Sequence, residues 1–341
     1  MNRAFLVTIA AAVLVPALAW GATALPIPSG IDISSNNHAG NMPINWQDVA
    51  NSQQDFVLVK ATEGTEYTNP FYAEDIAGAK EHGMYVGAYH YGRPNTDPIE
   101  SARHFADVIK SAPATTMPPV LDIEQTDGVG VAGMQLWISQ FMQETQRLTG
   151  QTPLIYTFRF FWEDKVGNAK NFTQYPLWLS AWQNTPPEVM PGGWDHMTFW
   201  QRSATGRISG ILTDVDMSLF NGTAEQLAAF TMGSNIGIGG LLTPGTDFGG
   251  TNYGQSNAAI LQALINLAEG NLLASADLVN AAAQAGIDLP KAVEFAKAVV
   301  DLATSGELPL ADLEALNEGD YSLGDVLQLL DAAEYSARSH A

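Results

Sequence analysis

The feature that most constrains this chain is an alternation, over residues 30–232, of short apolar runs with helical patterns. The runs are rich in Val, Ile and aromatics, and they fall at 30–35, 55–62, 85–92, 118–124, 153–160, 176–182, 197–203 and 211–220. Helical spacing recurs between the early runs, at 69–83, 98–112 and 133–149. The first of these opens on Asn69-Pro70 and ends near Gly83. Repeated strand–helix units require parallel strands joined by right-handed crossovers. The last three runs lie too close together for long helices. Eight strands in this length predict a barrel of the (β/α)₈ kind with its later helices lost, and an open doubly wound sheet is the rival.

The flanks read differently. Arg3, the apolar stretch 4–19 and Ala22-Thr23-Ala24 have the pattern of a signal peptide, 1–24, cleaved before Leu25. The stretch is short for a membrane span and contains Pro16, so no stable span is expected after cleavage. The catalytic barrel is then expected over 25–232. Residues 233–255 carry eight glycines and no periodicity, the composition of a linker. Over 256–341 the chain becomes Ala/Leu-rich. Gly270, Gly286, Gly306 and Gly319 punctuate it, and Pro290, Pro309 and a Ser322–Asp325 capping box mark helix starts. This predicts a small domain of four or five helices whose partner the sequence does not identify.

Composition narrows the function. Lys and Arg number 15 against 36 Asp and Glu, a net charge of -21, which opposes binding to nucleic acid. A glycan is not excluded. Cysteine is absent, so thiol nucleophiles and disulfides are both ruled out.

Carboxylates recur where such a barrel places its chemistry, at the C-terminal ends of strands. Asp32 lies on the first strand, Glu63 and Glu66 follow the second, Asp122 and Glu124 end the fourth, and Asp214 and Asp216 lie on the eighth. Asp122 and Glu124, two apart on a strand, share a face and lie roughly 6.5–7 Å apart along it. Crowded against apolar Val120 and Leu121, the two should not ionise equally, which would leave one as a general acid. Paired acids of this kind cleave glycosidic bonds. A lone Asp-x-Glu is more often a solvated loop, and the repetition at several strand ends favours the catalytic reading. Tyr89, Tyr91, Tyr156, Trp178, Trp182 and Trp200 lie on candidate strands and could stack on sugar faces, although strand parity directs at most half inward.

Other motifs carry less. Gly128, Gly130 and Gly133 spell G-x-G-x-x-G, but Gln125-Thr126-Asp127 separate them from the strand, and a flexible loop beside the cleft is expected rather than a nucleotide site. His38, His82, His90, His104 and His196 lack metal-ligand spacing, so no metal or other cofactor is expected; His90 could line the cleft. No G-x-S-x-G is present, which leaves a serine hydrolase without support.

Six ordered blocks resemble the glycoside hydrolase family 25 lysozymes, the Chalaropsis-type muramidases. They are GIDISSNN, VKATEGTEYTNPFY, GAYHYGRP, PVLDIE, FWQRSATGRISGI and DVDMSLF. The resemblance implies an irregular (β/α)5(β)3 barrel followed here by a small all-α domain. It implies hydrolysis of the β-1,4 bond between N-acetylmuramic acid and N-acetylglucosamine in peptidoglycan glycan strands, in the secreted or cell-envelope space. The family's acids map onto Asp32, Asp122, Glu124 and, in the last block, Asp216 rather than Asp214. Glu124 would be the proton donor. Asp122 would orient the substrate's N-acetyl group if the mechanism is substrate-assisted, with inversion by water as the alternative. Tyr89, Tyr156, Trp182, Gln201 and Glu63 would be cleft residues. A chitinase-like reading is weakened because Met117–Leu121 carries no further acids upstream, and a non-catalytic glycan-binding reading because all four acids are present.

Overall fold

A computed structural model describes residues 27–235, 237–250, 252–254 and 258–339. The signal-peptide expectation, 1–24, lies outside them. The described chain divides into two compact units, one running to Ala181 and including Pro186–Thr246, the other comprising Trp182–Thr185 and the chain from Asp247 onward.

The first unit is a closed eight-stranded barrel. Its strands are β1 (Ser29–Ile33), β2 (Phe56–Glu63), β4 (Tyr85–Tyr91), β5 (Val120–Asp122), β6 (Leu154–Phe158), β7 (Leu177–Ser180), β8 (Phe199–Gly206) and β9 (Val215–Phe220), and a short β3 (Tyr67–Thr68) pairs outside it with β2. The order β1-β9-β8-β7-β6-β5-β4-β2 closes through a β1–β2 pairing. Closure settles the choice left open by the sequence, since the rival open sheet would leave two edges. Ladders from β1 through β2, β4, β5, β6 and β7 to β8 are parallel, whereas β9 runs antiparallel to both neighbours.

The crossovers are α1 (Trp46–Asn51), α2 (Tyr72–Glu81), α3 (Pro98–Ser111) and α4 (Val131–Thr149), with only a π-helical turn at Phe161–Lys165 after β6. Five strand–helix units followed by three strands is the predicted pattern. Asp97 caps α3 through the amides of Ile99 and Glu100, with Pro98 in the first turn. The sequence signals missed α1, β3 and α5 (Ala224–Thr231).

Period-two alternation aims one side chain in two into the barrel. Phe56, Leu58, Tyr89, Val120, Leu154, Tyr156, Trp178, Phe199 and Phe220 come from seven strands and form one buried cluster. Leu227 and Phe230 of α5 join it from below, Phe230 packing edge-on against Phe199. The apolar layer fills the lower barrel, so polar inward positions concentrate at the opposite rim, where the parallel strands end.

Residues 237–242 are tied to the barrel. Asn221 accepts the amides of Gly239, Leu241 and Leu242, and Gln226 donates to the Gly237 carbonyl. The second unit holds α6 (Ala258–Ala268), α7 (Ala274–Gln284), α8 (Leu289–Ser305), α9 (Leu310–Glu318) and α10 (Leu323–Ser339). Asp288 caps α8, Gly306 ends it in the left-handed conformation, and Ser322 and Asp325 exchange the capping-box bonds before α10. No helix among the described residues is long and apolar enough to cross a membrane.

Candidate active site

Three of the four predicted acids are placed by strand register. Asp32 on β1 lies directly opposite Asp216 on β9. Asp122, the last residue of β5, lies between Tyr91 of β4 and Tyr156 of β6. Glu124 follows two residues later, beyond the ladder. Ile123 keeps that segment strand-like by donating its amide to the Tyr156 carbonyl at 3.0 Å. Asp32 and Asp122 are buried and Glu124 and Asp216 partly exposed, so an acid at the mouth adjoins acids set deeper.

Asp214, with the same parity as Asp216, precedes β9 and pairs with Arg207 at 2.7 Å in the β8–β9 hairpin. Its carbonyl accepts from Asn37. Asp216 lies inside the ladder, opposite Asp32.

A hydrogen-bonded chain connects the interior. Gln201 donates through Nε2 to both oxygens of Asp32 at 3.2 Å, and its Oε1 accepts from Tyr156 Oη at 3.0 Å and Ser180 Oγ at 2.7 Å. Gln201, Tyr156 and Ser180 are all buried. Burial first, and then the charges of Glu124, Asp122 and Asp32, push the Tyr156 phenol well above its usual range. Tyr156 therefore stays a neutral donor to Gln201. Its ring meets Trp178 edge-on, and Trp178 Nε1 donates to Ser218 Oγ.

A β-bulge builds the other side of the rim. Register shifts between Lys60 and Thr62, so Lys60 and Glu63 share the inner face although three apart. Lys60 Nζ meets Glu63 Oε2 at 2.5 Å and lies 4.4 Å from the centroid of the Tyr91 ring. Arg93 donates to Glu63 Oε1 at 2.7 Å and to Asp127 Oδ1 at 3.0 Å. Glu63 is thus held by two cations. Lys60, a charge within the apolar run FVLVKAT, carried a signal that pattern reading passed over. Ser180 and Arg93 carried none.

Tyr89 is buried in the barrel cluster. Trp182 is buried and belongs to the unit containing the helices, where its backbone abuts Gly324 of α10. Trp200 alternates away from Gln201 and donates Nε1 to the Ala181 carbonyl. His90 does not line the cleft. It is fully buried outside the barrel against Phe105 and Phe141, bonded to Thr62, because its neighbours Tyr89 and Tyr91 take the inward positions. Gly128 lies in a turn closed by Val129 donating to the Thr126 carbonyl, Gly130 is the N-cap of α4, and Gly133 lies in that helix. Among the described residues no group of three His, Asp or Glu is arranged to hold a metal ion.

Comparison with known proteins matches residues 31–211 to the model of glycosyl hydrolases family 25. The chain belongs to that family. It is 35% identical over 210 residues to Lysozyme M1 of Streptomyces globisporus, covering 59% of this chain and 70% of the relative. It is 31% identical over 217 residues to the N,O-diacetylmuramidase of Chalaropsis sp, covering 60% and 99%. Its fold matches the bacterial lysozyme from Streptomyces coelicolor with a TM-score of 0.54 at 32% identity, over 60% of this chain and 96% of that one. As a family 25 member the chain is a glycoside hydrolase acting on peptidoglycan.

Proposed function

We propose that this hydrolase is a muramidase that cleaves the β-1,4 bond between N-acetylmuramic acid and N-acetylglucosamine, with Glu124 as its general acid. The observation that carries the reading is the rim arrangement: a partly exposed Glu124 beside buried Asp122, with Asp32 and Asp216 paired opposite each other. Glu124 gives its proton to the glycosidic oxygen as the bond from the anomeric carbon breaks, and water supplies the new hydroxyl and restores the proton. Asp122 stabilises the positive charge that develops at the sugar. Asp32, oriented by Gln201, and Asp216 hold the substrate and the acid pair in place. Tyr156 and Gln201 act through their hydrogen-bonded chain, and Glu63 and Tyr89 support the rim and its floor. For Trp182 the support is the family resemblance alone.

The same reading places the enzyme in the secreted or cell-envelope space after loss of residues 1–24. It assigns 25–232 to catalysis, 233–255 to a linking segment and 256–341 to a helical domain whose partner is open. The test is release of new reducing ends from insoluble peptidoglycan by wild type beside Glu124→Gln. Muramic acid at the new ends, from wild type alone, is the expected result. Glucosamine at those ends, or activity retained by the variant, overturns the assignment.

A further inference from the structure

We propose that Arg93 is a positioning residue for Glu124, acting through Asp127 on the turn that follows the acid. The inference rests on Glu124 being the acid. Glu124 lies beyond the last ladder residue of β5. Its segment is held on either side. Upstream, the Ile123 amide is bonded to the Tyr156 carbonyl. Downstream, Asp127 is bonded to Arg93.

The downstream pin is a tight turn. Asp127 and Gly128 have φ of 45° and 81°, and Val129 donates to the Thr126 carbonyl at 2.8 Å. Positive φ at both central residues is the type I′ pattern, for which Asp-Gly is a favoured pair. The turn thus shapes its own backbone, and the guanidinium of Arg93 anchors it in place by bridging Glu63 at the end of β2 to Asp127 beyond β5. The side chains of Arg93, Glu63 and Asp127 are only 10%, 13% and 3% exposed, so these ion pairs are shielded from solvent screening. Gly92 brings the two elements close, its amide donating to the Asp122 carbonyl at 2.8 Å. The planar fork of arginine spans two carboxylates, which a lysine ammonium cannot do in the same geometry.

The test measures kcat, KM and Tm of the full chain on soluble peptidoglycan fragments for Asp127→Gly, Asp127→Asn, Arg93→Lys and Glu124→Gln. Asp127→Gly keeps the turn but leaves Arg93 with one of its two carboxylates, so Tm should fall by a few degrees with the fold intact. Misplacing the acid should still lower its kcat by about 10–100-fold, with KM changed by less than about threefold. Asparagine tolerates the turn and keeps an acceptor for Arg93, so it should lose less. Arg93→Lys should lose about as much as glycine, and the double variant Arg93→Lys/Asp127→Gly no more than either alone, because both cut one link. Wild-type kcat in Asp127→Gly and Arg93→Lys beside an inactive Glu124→Gln overturns the inference and leaves the acid assignment standing. So does a kcat that falls only in step with Tm, the mark of a merely structural pair. Activity in Glu124→Gln removes the acid assignment, and this inference with it.

Discussion

Gln201 contacts both carboxylate oxygens of Asp32 at 3.2 Å while its own carbonyl oxygen accepts two hydroxyls, from Tyr156 and Ser180. One buried amide thus joins β1, β6, β7 and β8 at the rim that carries the proposed site, and both ends of that amide are used. Gln201→Ala should leave two hydroxyls and a carboxylate without their partner. The expected cost is about 2–5 kcal/mol of stability, read from urea denaturation. Gln201→Glu should cost at least as much and abolish activity, because it sets a second negative charge against Asp32. A fully active Gln201→Glu enzyme would show that Asp32 needs no such partner.

Asp122→Asn should lower kcat by about 10²–10³-fold with the fold intact, since the amide keeps the shape and removes the charge. Relief of carboxylate crowding should hold Tm level or raise it. Steady-state kinetics beside thermal unfolding check both halves, and a kcat near wild type would place the charge stabilisation elsewhere.

Gly92→Ala tests close approach rather than chemistry. A Cβ there would lie 2.9 Å from Ile123 Cδ1 and 3.2 Å from the Asp122 carbonyl. The end of β4 must then move from the acid-bearing end of β5. Stability should fall by about 1–3 kcal/mol, and kcat should fall more than KM rises. An unchanged kcat would mean that the acids tolerate the shift.

His90 sets a pH dependence of stability. Burial, followed by the charges of His104 and Lys60, lowers its pKa from 6.5 to about 3. The folded state therefore holds it neutral while the unfolded chain takes up a proton below about pH 6.5. A depressed folded pKa contributes stability that is present above the unfolded value and lost as pH falls towards the folded one. The unfolding free energy should drop by about 1.4 kcal/mol per pH unit from this group between roughly pH 6 and 3. Urea midpoints across that range should show a shallower slope in His90→Gln, and parallel slopes would refute the assignment.

Much of the barrel was readable from local pattern. Each predicted strand overlaps an observed one, because buried strands leave short apolar runs whose edges coincide with turn residues. Helix starts were legible at Pro290 and at the Ser322–Asp325 capping box, whereas Asn69-Pro70 precedes α2, which begins at Tyr72 without a side-chain cap. The elements that escaped are those without a periodic signature: the six-residue α1, the two-residue β3, and the bulge in β2 that turns Glu63 inward beside Lys60.

The sequence by itself determined the chemistry on offer: carboxylates at or just beyond strand ends, as Asp32, Asp122 and Glu124 are, and the family through six ordered blocks. These follow from spacing along one chain, which pleat and pitch convert directly into local geometry. Tertiary structure alone decided that the sheet closes, that Asp32 faces Asp216, that Gln201 joins Asp32 to Tyr156, and that Arg93 reaches Asp127 from another loop. Those pairs are separated by 34 to 184 residues. Their contact depends on barrel closure and strand register, which the packing of the whole interior sets and no local pattern encodes.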